Sequence, residues 1–309
     1  MGKRFTIVAV TAVAILLAGI AFAVSRLYAP GKGESRSQLP QGWSVLNAIP
    51  SDAVAVFVFD GSSKAVKVLA DSTGLLGAAI APDSPALMDF IRSIGKNRMA
   101  ISLHNSGSLV PLVAAEIPLP DSLTRVMALS TGLKIQEKDG FLIASRSETF
   151  VKASARNLQE GTSIMGSKSL QGLLPKVSAP AVLLVNHSHA PKITDVYGSS
   201  KMRKQAGFLK NLAPWSAWTL QVPEKENITL KGISASGDAT GSWFAAFNGK
   251  GSQEALFPEA LPYFAGTAIS LPIEDLDAVI ASRRAYEDGN GRLMPSRRPS
   301  RPVPPKILP

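Results

Sequence analysis

Between residues 43 and 288, short apolar runs alternate with amphipathic stretches and turn-forming clusters. Val54-Ala55-Val56-Phe57-Val58-Phe59 is nearly continuous in apolar character, which predicts a strand buried on both faces. Asp60-Gly61-Ser62-Ser63 ends it. Ser62 or Ser63 can cap a following helix whose apolar side is Ala65, Val66, Val68 and Leu69. A second helix is expected over 85–94, with Pro85 in its first turn. Residues 99–103 and 109–117 read as a hairpin closed around Asn105-Ser106-Gly107. Asp121 caps a third helix running through Leu129. Residues 133–135 and 141–144 form another hairpin, turning at Asp139-Gly140. Ser147-Glu148 opens a helix that reaches about Leu158.

The second half restarts this logic. Residues 181–185 are a buried-type strand, followed by a polar break and weak helical segments to about Leu212. Residues 215–222 and 228–235 alternate apolar and polar, a long hairpin turning over 223–227. Residues 243–247 and 267–271 read as further strands. Residues 274–288 form a helix with Leu276, Val279 and Ile280 on one side. Ile49-Pro50, Leu174-Pro175 and Leu261-Pro262 each lead through a short spacer into an apolar strand. Their spacing is too irregular for a solenoid. It suits a duplicated module whose third copy has only begun; coincidence among common strand-then-helix units is the competing reading. The expected fold class is α+β, a mixed, mainly antiparallel sheet with packed helices. The first module covers 43–172 and the second, with the start of a third repeat, 173–291.

The chain ends read differently. Residues 1–28 hold a short basic start and an apolar run, 5–24, without a charge. As a helix that run is about 30 Å long, the thickness of a bilayer's hydrocarbon core. It is read as an uncleaved transmembrane signal anchor, because it exceeds the roughly 7–15 apolar residues of a cleavable signal. Ala21-Phe22-Ala23 carries the small-x-small pattern of the cleaved alternative. Lys3 and Arg4 favour a cytoplasmic N-terminus and a folded part on the periplasmic side, although Arg26, Lys32 and Arg36 weigh against them. Residues 29–42, rich in Gly, Pro, Ser and charge, form a linker. Residues 292–309 hold six prolines and no acid, and read as a disordered basic tail or as the product of a truncated gene.

Charge changes the picture less than its total implies. The formal net charge is +10. Residues 1–38 hold five Lys/Arg against Glu34, and 292–309 hold Arg292, Arg297, Arg298, Arg301 and Lys306. The folded part is therefore near neutral and has no basic stripe, so nucleic acid is not an expected partner. Anionic lipid beside the anchor explains the excess more simply. The chain has no cysteine, which excludes disulfides, thiolate metal sites, cysteine nucleophiles and lipidation of a cysteine.

The basic start, the anchor, the segment "AIPSDAVAVFVFD", the succession of hairpins and helices and the segment "DLDAVIASRRAYED" together resemble single-pass envelope proteins of the Bacteroidota. The resemblance spans most of residues 1–290, on motifs of low specificity, and the tail from Met294 departs from it. It implies an envelope location; no activity and no site residues carry over.

Candidate chemistry is sparse. His187 and His189 form a His-x-His pair that, on a strand, would face one way and could share a metal. The nearest acid is Asp195, and a polar loop is the preferred reading. His104 ends a strand beside a turn and is expected to be exposed. A Ser-His-Asp set can be assembled from so many serines, but no Gly-x-Ser-x-Gly elbow accompanies it. No glycine-rich segment ends in the Gly-Lys-Ser/Thr of a phosphate loop. Asp52, Asp60, Glu116 and Asp121 could be paired carboxylates, Asp60 being the best placed, yet all lie near strand ends or turns. Trp215 and Trp218 differ in strand parity, so one is expected in the core and one exposed. Trp243 joins them as a possible partner surface. No catalytic, cofactor or metal residue is assigned. The expected function is a non-enzymatic binding or scaffolding protein of the cell envelope, touching membrane lipid through its N-terminal helix and an envelope protein partner. A lipid or small-ligand binder and a hydrolase with an unrecognised site are the alternatives.

Overall fold

A computed structural model describes residues 43–60, 63, 90–91, 93–94, 97–117, 126, 130, 132–221, 229–235, 242–247 and 275–289. The expected anchor, linker and tail lie outside these residues. So do most of the helix expected after residue 62, the turn over 223–227, the strand over 267–271 and Asp121. Among the described residues no helix is long and apolar enough to cross a membrane.

Eight strands form one sheet: β1 (Ala55–Asp60), β2 (Arg98–Asn105), β3 (Leu109–Glu116), β4 (Lys134–Lys138), β5 (Phe141–Ser145), β6 (Ala181–Asn186), β7 (Trp215–Gln221) and β8 (Thr229–Ser234). Their order is β4-β5-β3-β2-β1-β6-β7-β8. The α+β class stands, but the sheet is not mixed: each of its pairings is antiparallel. The reason lies in where each connection delivers the chain. The segment after Asp60 brings Arg98 directly opposite Asp60, so β2 starts at the edge where β1 ended. Trp215 likewise starts β7 opposite Asn186, the last residue of β6. A parallel neighbour needs a crossover back to the opposite edge.

β1 is central, as its apolar run predicts. One face packs Phe57 and Phe59 with Met99, Ile101, Val113 and Leu142, under Phe90, Ile91 and Ile94. The other packs Val56 and Val58 with Ala100, Val182 and Leu184 against Leu46 and Ile49, and against Leu170 and Leu173 of α2 (Lys168–Leu173). Leu46 belongs to a 3-10 turn, Ser44–Ala48. Burying each large side chain stabilises the fold by roughly 1.5–3 kcal/mol, which is why neither face reads as a polar stripe. All three predicted hairpin pairings form, β2 with β3, β4 with β5 and β7 with β8. Asp139 (φ 50°) and Gly140 (φ 80°) both adopt left-handed backbone, as a two-residue type I′ turn requires. Helix α1 (Glu148–Glu160) follows, stopped by Gly161 in the left-handed region (φ 67°), and lays Phe150, Val151 and Ala155 on Leu112 and Ile143.

Six of the strands are arranged symmetrically about the β1–β6 pair, β3-β2-β1 on one side and β6-β7-β8 on the other, while β5 and β4 extend the first side alone. β1 reads AVFVFD and β6 reads AVLLVN. Asp60 pairs with Arg98 as Asn186 pairs with Trp215, and Ile101 pairs with Val113 as Trp218 pairs with Gly232. Helix α3 (Pro191–Tyr197), helix α4 (Ser200–Gln205) and a 3-10 turn, Ala206–Asn211, join β6 to β7.

Two expectations need correction. Trp243–Phe247 is a 3-10 turn and not a strand. Its five apolar residues carry no alternation, so periodicity cannot separate strand from helix there, and packing of Phe244 with Leu212 and Ala213 decides. In α5 (Leu276–Gly289), Val279 and Tyr286 are buried, while Leu276 and Ile280 are exposed.

Candidate functional site

The β2 strand carries Ser102 and His104 two positions apart, hence on one face. A backbone bond from Val54 N to Leu103 O (2.9 Å) draws the turn before β1 against the end of β2. This places Asp52 Oδ1 2.9 Å from His104 Nδ1, while Ser102 Oγ lies 2.8 Å from His104 Nε2. Phe150 of α1 covers the imidazole, its ring centroid 4.7 Å away. His104 is thus fully buried, not exposed as its position beside a turn implied. The hydrogen bond from His104 holds the Asp52 carboxyl below its ordinary range. The connectivity is that of a nucleophile, base and acid. However, Ser102 is also fully buried, and its Oγ is 3.5 Å from Leu112 O. No substrate reaches that hydroxyl in this conformation, so the line works as a polar clamp between the β1 entry turn and β2.

A second buried line lies beyond β6. His187 Nε2 is 2.7 Å from Ser216 Oγ, which is 2.6 Å from Ser234 Oγ. Burial pushes the His187 imidazole down to about 4, so it is neutral near pH 7. His189, two residues on, turns elsewhere. The pair sits in the turn after β6 rather than on the strand, which removes the geometry that a shared metal needs. Among the described residues no group of three or more His, Asp or Glu could hold a metal ion. Asp195 lies exposed on α3.

His189 instead lines a pocket of about 400 Å³ at the end of β6. Ile164 N donates to Ile49 O (3.0 Å), and Pro50 bridges to Ser163. These contacts bring the 3-10 turn Ile164–Gly166 and the start of α2 beside Ser51. Ser163, Ser167 and Ser169 come from that side; Asn186, Ser188 and Trp215 come from the sheet. Asn186 and Trp215 are register partners, so their side chains share a face. Asn186 is 5% exposed, and its Oδ1 has no hydrogen-bond partner among the described residues. A buried amide oxygen without a partner costs about 1–3 kcal/mol. Burial, then Lys192, lowers the His189 pKa, so the lining presents no fixed charge.

The other residues singled out do not gather. Asp60 ends β1, opposite Arg98 and at the far end of that strand from Asp52. Glu116 ends β3 and accepts a hydrogen bond from Ser44 Oγ. Trp215 and Trp218 do face opposite sides of β7, yet both are buried: Trp215 packs in one cluster with Leu170 and Leu173 of α2, and the Trp218 ring lies against Gly232 of β8. The pocket is what sequence reading missed. Its only signal was a scatter of serines at 163, 167, 169 and 188, which nothing local ties to Ser51.

By fold and site the described residues form an α+β protein built on an antiparallel sheet, with sealed histidine–serine lines and an open, uncharged polar pocket at the end of β6. No family model, curated protein or solved structure matches the chain.

Proposed function

We propose that this chain is a membrane-anchored, non-enzymatic binding protein of the cell envelope, and that the pocket at the end of β6 is its ligand seat. The uncharged, serine-lined pocket beside the buried Asn186, whose Oδ1 has no partner among the described residues, carries the binding part of the reading. The anchor rests on the charge-free apolar run at 5–24, the envelope setting on the resemblance to single-pass Bacteroidota proteins. The symmetric strand order and the AVFVFD/AVLLVN match support a duplicated module. The near-neutral folded part argues against a nucleic-acid partner. An envelope protein partner belongs to the same reading and rests on the anchor alone.

The test of binding is thermal unfolding of the full chain with neutral, anionic and cationic small molecules. A ligand that raises the midpoint of the native protein, but not that of Asn186→Leu, supports the pocket as the seat. The test of location is protease cleavage of a C-terminal tag in intact spheroplasts. Cleavage there supports a domain outside the cytoplasm; protection until lysis overturns it. One observation favours a second reading: the Ser102–His104–Asp52 line is hydrolase-like in connectivity. Labelling of Ser102 by a fluorophosphonate, lost in Ser102→Ala, would establish that reading and end the non-enzymatic one.

A further inference from the structure

We propose that the pocket at the end of β6 seats a neutral, hydroxyl-rich ligand, a saccharide unit. The inference rests on the binding reading above and names the ligand class for the same pocket.

The size comes first. About 400 Å³ lies toward the lower end of small-molecule sites, which run from roughly 300 to 1,000 Å³. Chemistry narrows the occupant further. Serine hydroxyls both donate and accept, and five of them line the space, among them Ser51, Ser167 and Ser188. Asn186 lines the space, and its buried Oδ1 lacks a donor among the described residues; an amide turned toward the cavity would accept from a ligand hydroxyl or acetamido N–H. An ionised ligand finds no countercharge in the wall, because the one titratable group lining it is His189 and burial keeps that imidazole neutral. Trp215 and Ile164 provide apolar wall for the carbon face of a ring.

Two further observations weigh against other occupants. The pocket opens at the ends of β6 and β7, which are paired on both sides, so no free strand edge is offered to an extended peptide. The symmetry-equivalent place in the other half holds Asp60 opposite Arg98, and the cavity beside Arg98 measures only about 20 Å³. The same point of the sheet is therefore closed and charged in one half and open and uncharged in the other.

The experiment uses the full chain and follows tryptophan fluorescence, since Trp215 forms part of the wall. The probes are N-acetylglucosamine, its β-1,4-linked disaccharide and glucose. Inorganic phosphate, an N-acetyl dipeptide amide and palmitate serve as controls. The expected result is a saturable change with a sugar, weakened at least about tenfold by Asn186→Leu at unchanged native fluorescence. If Asn186→Leu does not fold, Ser188→Ala and Ser167→Ala replace it, each expected to weaken binding. Saturable binding of phosphate, dipeptide or palmitate but of no sugar overturns the saccharide inference and leaves the binding reading standing. Absence of binding by every probe overturns the saccharide inference as well, and fluorophosphonate labelling of Ser102 would then remove the binding reading with it.

Discussion

The two halves of the sheet share one strand plan and fill it differently. Around β1, the inner pair is Ile101 with Val113, and the strand end carries Asp60 opposite Arg98. Around β6, the inner pair is Trp218 with Gly232, and the strand end carries Asn186 opposite Trp215. The first difference conserves volume: an indole lies where Gly232 leaves room, and a Cβ built on Gly232 would come within 2.3 Å of Trp218 Cε3. The second does not conserve charge. An acid and a base at one strand end stand where the other has an amide and an indole, and beside that amide the sheet end opens to a pocket. The two inner pairs thus fill similar volume, while the polarity at the two strand ends differs.

The largest effect is expected at the inner pair. Trp218→Ala removes a fully buried indole and should cost about 3–5 kcal/mol. Gly232→Val alone should also destabilise, because its side chain collides with that ring. Trp218→Ile combined with Gly232→Val rebuilds the Ile/Val pair of the other half. It also removes the indole Nε1, which lacks a partner among the described residues. Urea unfolding of Trp218→Ile, Gly232→Val and the double should give a favourable coupling of about 2 kcal/mol. Additive losses would mean that the two pairs are not equivalent.

The two buried polar lines differ next, because His187 in one and Asp52 in the other lose their contribution over different pH ranges. The folded pKa of His187 lies below its ordinary 6.5, at about 4, so protonation favours the unfolded chain. Its contribution is complete above pH 6.5 and is lost as pH falls toward 4, up to roughly 3 kcal/mol. His187→Gln should flatten the stability curve in that window. Asp52 in the other half is also depressed, but from 3.8, and for an acid that means stability present above 3.8 and lost only below it. Asp52→Asn should leave the curve above pH 4 unchanged in slope. Its cost at neutral pH should be about 1 kcal/mol or less, because the carboxylate is 42% exposed and water screens it. Loss of the slope between 6.5 and 4 in Asp52→Asn, and not in His187→Gln, would reverse the assignment.

How much of this was legible depends on the range of the cause. β1, the three hairpins and α1 follow from local signals: an apolar run, alternating strands around turn residues such as Asp139-Gly140, and Ser147 before and Gly161 after a helix. The antiparallel return of β2 was not legible, because it depends on where a long connection ends. His104 misled for the same reason. The residues that follow it, Asn105 and Ser106, are polar, and its burial comes from Phe150 and Asp52, both about fifty residues away. The pocket needs Ser51, Ser167 and Asn186 together, and only the Pro50–Ser163 bridge and the β1–β6 pairing unite them.

The smallest expected effect tests whether charge or space separates the two strand ends. Asp60→Asn gives the first half the amide that the second half carries at the paired position. Asp60 is partly exposed at the end of β1, so the change should cost under about 1 kcal/mol. It should not create a second seat: the cavity beside Arg98, about 20 Å³, holds roughly one water and no sugar ring. Titration of Asp60→Asn with N-acetylglucosamine should therefore match the native stoichiometry. A second equivalent of sugar bound by that variant would show that the Asp60 charge, rather than the closure by Trp43, Ala179 and Pro180, is what keeps the first strand end empty.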